Sequence, residues 1–143
     1  MPFEYLEDIA TSDVAFKAWG STLEELFIAA ADATMNVMVG DLDTIAQTER
    51  RGIEVQADAV DMLLFDLLQE LIYYKDAEQL LLRVKEIHVR REDDLFTAEA
   101  EACGELLNPE KHDLVVDVKA VTLHRYRVEK TSKGWEATVI LDI

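Results

Sequence analysis

Between Asn108 and His124 the stretch "NPEKHDLVVDVKAVTLH" sets a charged turn, Glu110 to Asp113, ahead of an apolar run. That run carries Lys119 between Val118 and Ala120, with Thr122 and His124 on alternate positions beyond it. Strand alternation would put Lys119, Val121 and Leu123 on one face and Ala120, Thr122 and His124 on the other. An amine on one face is thus divided from a hydroxyl and an imidazole on the other. An interior lysine in such a strand is, however, more often a charge that guards a sheet edge. The chain closes on a second such stretch, "WEATVILDI", in which Glu136, Thr138 and Ile140 alternate with Ala137, Val139 and Leu141. It places an aspartate, an apolar residue and the terminal carboxylate on an expected core strand. Termini are usually loose polar tails unless something ties them down, so this end is expected to be in use.

Other chemistries find no footing. The five glycines (Gly20, Gly40, Gly52, Gly104, Gly134) fall at expected element boundaries, too far apart for a phosphate-cradling loop, so a bound nucleotide is not expected. His88, His112 and His124 show no zinc spacing, and the reading for each is a surface histidine. Ser12, Ser21 and Ser132 lie in turn or cap contexts without a nucleophile elbow. "DLDTIAQTERRG" opens like a calcium loop with Asp41 and Asp43, but Ala46 stands where a sharp turn needs glycine and Gly52 where a bidentate glutamate belongs. Fourteen Lys and Arg against 30 Asp and Glu give a net charge of -16. Nucleic-acid affinity draws on counterions displaced by basic side chains, so direct nucleic-acid binding is not expected. An acidic surface more naturally meets a basic protein or a cation.

The elements that must position these residues follow from periodicity. "DVAFKAW" (Asp13 to Trp19) alternates as a strand. Ser21 with Glu24 forms a capping box for a helix carrying Leu23, Leu26, Phe27, Ala30, Thr34 and Val37, which Gly40 is placed to end. "IEVQA" is a second strand. Asp58 is then expected to cap a helix with a broad apolar stripe of Val60, Leu63, Leu64, Leu67, Leu68, Leu71 and Ile72. Beyond Asp76 the period is two, through "RVKEIHVRR", "LFTAEAEA", "LVVDVKAV", "LHRYRVEK" and "WEATVILDI". "EDD" (Glu92 to Asp94) and "TSKG" (Thr131 to Gly134) read as hairpin turns. The expected class is α+β: one domain over 1–143, in two layers, with an antiparallel or mixed sheet of roughly five to seven strands packed against two amphipathic helices. One cysteine excludes an internal disulfide, no secretory signal opens the chain, and no apolar run approaches the roughly 20 residues of a membrane span. The expected setting is cytoplasmic, with no membrane contact.

Several of these stretches together resemble the archease family along nearly the whole chain: an opening "EYLE…TSDV", the "LLFDLLQELIYY" helix, the "PEKH…VKAVT" run and the "VILDI" end. The resemblance implies an α+β cytoplasmic accessory factor of the RtcB-type tRNA-splicing RNA ligase, which joins 3′-phosphate to 5′-hydroxyl ends. Such a factor promotes guanylylation of the ligase's active-site histidine, sustains multiple turnover and broadens the nucleotides accepted. It activates and has no catalytic activity of its own. The resemblance further implies a divalent cation, usually calcium, held by Asp13, Asp142 and the terminal residue Ile143, with Lys119, Thr122 and His124 as candidates for partner activation. Side-chain carboxylates and a terminal carboxylate are hard oxygen ligands suited to calcium or magnesium. The chain departs from the family's E-H-T-A-D-V stretch, since "LEDIATSDV" has no histidine there. Two other readings compete: a chaperone-like modulator of several RNA-processing enzymes, and a metal-dependent hydrolase using Asp13 and Asp142.

Overall fold

The computed structural model describes residues 2–6 and 13–143. The departure from the family pattern, together with Asp8 and Ser12, lies outside the described residues. Among the described residues, seven strands and two helices run in the order β1 (Phe3–Leu6), β2 (Asp13–Gly20), α1 (Leu23–Met38), β3 (Glu49–Ala57), α2 (Val60–Glu78), β4 (Leu80–Glu92), β5 (Leu95–Leu106), β6 (Ala120–Thr131) and β7 (Gly134–Asp142). A short 3-10 turn, Leu42–Thr44, follows α1. No helix among the described residues is long and apolar enough to cross a membrane.

All strand pairings are antiparallel, and the α+β class is as expected. The strands divide between two sheets, however, where a single sheet was expected: four in the order β1-β2-β7-β6 and three in the order β3-β5-β4. Both helices touch both sheets, α1 through β2, β7 and β4, and α2 through β3, β4, β5 and β6. This explains why α1 is buried nearly all round, from Leu26 and Phe27 through Ala29–Ala31 and Ala33 to Met38. Its alanines let two sheets approach closely, and the helix's buried hydroxyl, on Thr34, donates to Ala30 O at 2.9 Å. In α2 the expected stripe is buried at Leu63, Leu64, Leu67, Leu68, Leu71 and Ile72, each worth about 1.5–3 kcal/mol of burial, while Val60 at its start is half-buried.

Three local expectations shift. The N-cap of α1 is Thr22, whose hydroxyl accepts from Glu25 N, one residue beyond the expected Ser21–Glu24 box. Helix α2 is capped by Ala59 without a side-chain bond, so Asp58 is not its cap. "LVVDVKAV" is not a strand for most of its length. Leu114 bridges Val39, residues 115–119 belong to no strand, and only Ala120 and Val121 enter β6. The hairpin turns are where expected, at Asp93–Asp94 between β4 and β5 and at Ser132–Lys133 between β6 and β7.

Gly104 on β5 sits under the backbone of β4, where a Cβ would lie 1.6 Å from Leu81 O, whereas a Cβ on Gly52 of β3 would meet nothing within 4 Å. Gly104→Ala is therefore expected to destabilise by about 1–3 kcal/mol or more through strand displacement, and Gly52→Ala to be neutral or stabilising by about 0.5 kcal/mol. Urea unfolding of the two variants checks the contrast.

Candidate functional site

The end of the four-stranded sheet where the chain finishes gathers most of the residues that could do chemistry. Strand β7 lies between β2 and β6, and on one side its register sets Asp142 directly opposite Asp13. On the other side Asp142 faces Ala120, and Lys119 N donates to Asp142 O at 2.8 Å. Directly opposed residues in an antiparallel pair share a face, with Cβ atoms about 4.5–5.5 Å apart. Two half-buried carboxylates thus stand side by side, Ala120 beside them leaves space, and Ile143 carries the terminal carboxylate one residue on. Like charges directly opposed destabilise a sheet, and a divalent cation between them would remove that repulsion. Among the described residues no three His, Cys, Asp or Glu side chains converge as a ligand cluster. The carboxylate pair needs further oxygen donors, and the Ile143 carboxylate is the nearest one along the chain. Such donors, all hard oxygen, are of the kind calcium or magnesium takes.

The other candidates are not drawn onto one strand face. Lys119 is exposed immediately before β6. The Thr122 hydroxyl donates to Ile140 O at 3.0 Å, tying β6 to β7. After Thr122 the register breaks until Arg127, with Arg125 in the left-handed region (φ 52), so the expected alternation of Ala120, Thr122 and His124 ends there. His124 is exposed on that irregular stretch.

Two buried polar groups are placed otherwise than the sequence suggests. Lys75 of α2 is buried, with its ammonium donating to Asp76, to Asp117 and, at 2.9 Å, to Val118 O. Burial opposes its charge, but the hydrogen bonds it donates to Asp117 and Asp76 prevail and raise its pKa. This amine anchors the ladder-free stretch that leads into Lys119. Its position on the apolar stripe, four residues after Leu71, was the available signal. His112, expected on the surface, is buried. Its Nδ1 accepts from Asn108 N at 2.9 Å, which places the ring proton on Nε2, 2.9 Å from Glu105 Oε2. Ala46 N and Lys111 Nζ also donate to that oxygen, each at 2.7 Å. The Ala46 amide, then Lys111 and His112, hold the Glu105 carboxyl down at about 2.

Two helices bridging two antiparallel sheets, with the first long strand and the last paired at an acidic end, define a class of small α+β protein. The archease protein family matches residues 3–143, and the chain belongs to that family. It is similar to protein archease of Thermococcus kodakarensis, 36% identical over 93% of this chain and 94% of that one. It is also similar to protein archease of Methanosarcina mazei, 38% identical over 99% of this chain and 95% of that one. A solution structure from Methanobacterium thermoautotrophicum is 33% identical, with a TM-score of 0.85 over 99% of each chain. A crystal structure from Thermotoga maritima, described as an archease and possible chaperone, is 18% identical with a TM-score of 0.64 over 96% of this chain and 97% of that one; it shares the fold.

Because the Glu105 carboxyl titrates near 2 when folded against an ordinary 4.5, the folded state holds its proton less tightly than the unfolded one. Its contribution to stability is complete above pH 4.5 and is lost as pH falls toward about 2. Glu105→Gln should be less stable than the parent at pH 7, with the gap closing between pH 4.5 and 2 in urea unfolding.

Proposed function

We propose that this chain is a non-catalytic activator of the RtcB-type tRNA-splicing RNA ligase, promoting guanylylation of the ligase's active-site histidine and multiple turnover. On this reading Asp13, Asp142 and the Ile143 carboxylate hold calcium. The register that sets Asp13 opposite Asp142 carries the proposal, because it brings together, from nearly opposite ends of the chain, the two side chains the family resemblance assigns to the cation. Bound there, the cation supplies charge neutralisation at the strand ends. The chain's own residues do the rest. Asp142 O accepts from Lys119 N, so the position of the lysine follows the order of the last strand. Lys75 holds Asp117 and Val118 from beneath, so the approach to Lys119 is fixed at both ends. Lys119, exposed, is free to meet a carboxylate or phosphate of the partner.

The description of the Thermotoga maritima relative as a possible chaperone favours a second reading, a chaperone-like modulator of several RNA-processing enzymes. The exposed apolar run Leu114, Val115 and Val116 suits such a role.

Calorimetry should detect calcium or magnesium binding that Asp142→Ala, or one residue added after Ile143, weakens at least tenfold; equal affinity in all three proteins removes the site. Transfer of labelled GMP to a cognate ligase, with GTP, manganese and limiting amounts of this protein, should accelerate, while this protein alone takes up no label. Asp13→Ala and Lys119→Ala should keep the circular dichroism spectrum and lose most of the stimulation. Undiminished stimulation by both removes them from the mechanism, and no stimulation by the parent defeats the activator reading.

A further inference from the structure

At the end of β2 and β7 remote from Asp13 and Asp142, an open cleft of about 700 Å3 runs along α1. Its helical side presents Glu25, Ile28 and Asp32, spaced to fall on one stripe of the helix. Its other side is formed by Trp19, Trp135 and the Lys133 turn. Trp19 is 38% exposed and Trp135 is half-buried. The cleft therefore offers indole surface beside an apolar helix face, with carboxylates along its length.

The charges around the cleft are unequal in freedom. Asp32 answers Arg83 at 3.1 Å, and Glu136, also in the lining, lies 3.6 Å from Lys17. Glu25 has no ion-pair partner among the described residues, although its carboxylate receives a weak bond from the Thr22 hydroxyl at 3.4 Å. Lys133, the one basic residue of the lining, sits on the turn and leaves the α1 side to Glu25. With a net charge of -16 on the whole chain, the field here repels anions and concentrates cations. Indole faces attract cations, and a guanidinium both stacks on an indole and forks to a carboxylate.

We propose that this cleft is a docking site for an arginine-bearing segment of a protein partner, with the guanidinium held between Glu25 and the indole surface and the segment's apolar neighbours resting on Ile28. The site is separate from the strand end carrying Asp13 and Asp142, and it stands whether or not the chain stimulates a ligase.

Trp19 and Trp135 are the chain's two tryptophans and both line the cleft, so intrinsic fluorescence reports on it directly. The full chain would be titrated with a short blocked peptide containing two arginines, with the same peptide carrying citrulline in their place, and with a glutamate version. A saturable change in tryptophan emission with the arginine peptide alone is expected, together with an affinity about fivefold lower in Glu25→Gln and a further fall as salt is raised. Glu25→Gln keeps the backbone N-cap bond, and its melting temperature would be recorded alongside. No saturable change with the arginine peptide, equal binding of the citrulline peptide, or unchanged affinity in folded Glu25→Gln would each overturn the proposal.

Discussion

The antiparallel pairing of β2 with β7 is the constraint on which the rest of the molecule depends. It runs without a break from Asp13 opposite Asp142 to Gly20 opposite Trp135, joining the first long strand to the last. Closing so long a loop costs conformational entropy before any contact returns it, and the return comes from the buried side of the ladder. Phe16 and Ala18 on one strand and Ala137, Val139 and Leu141 on the other share that face, and all are nearly inaccessible. A one-residue slip would turn this apolar set outward, so the hydrophobic pattern fixes the register. The register in turn fixes which polar residues face one another at the two ends. One end sets two carboxylates side by side; the other places Trp19 and Trp135 at the mouth of the α1 cleft.

The helices convert that ladder into a body. Helix α1 fills the space between the four-stranded sheet and β4 of the three-stranded one, and the Arg83–Asp32 pair fastens β4 to it at 3.1 Å. Helix α2 fastens the second junction, where Gln69 Oε1 accepts from Val121 N at 2.9 Å and Lys75 holds Val118 O. Both bonds reach the chain where it enters β6, one strand away from Asp142. The end of the sheet bearing Asp13 and Asp142 is therefore held from β2, from β6 and from beneath by α2.

Much of this was legible in the residues, and the failures have physical reasons. Both helices and both tight turns follow from local periodicity and turn chemistry, which need no knowledge of partners. The one-residue error at the start of α1 arose because Ser21–Glu24 and Thr22–Glu25 offer the same capping pattern, and only the backbone selects the second. The division into two sheets was not legible, since alternation says which face is apolar and nothing about which strand lies beside it. "LVVDVKAV" alternates well enough for a strand but finds no ladder after the Leu114 bridge, and a strand exists only by its neighbour. Strand β1, four residues long, is too short for a period to register. His112 is buried because Glu105 on β5 and the Asn108 amide meet its ring, a convergence no spacing along the chain could reveal. The closing strand pattern drew notice to Asp142, only the resemblance joined it with Asp13, and the sheet register is the independent observation that sets the two opposite one another.

The central claim is that the opposed carboxylates of the first long strand and the last form a cation site that orders this end of the sheet. The most direct measurement is a nuclear magnetic resonance titration of the 15N-labelled full chain with calcium, following every backbone amide. Saturable shifts are expected at Asp13, Val14, Lys119, Ala120, Asp142 and Ile143, reversed by a chelator, with the Glu105–His112 cluster unmoved. Shifts absent at these amides, or centred on other acidic residues, would contradict it.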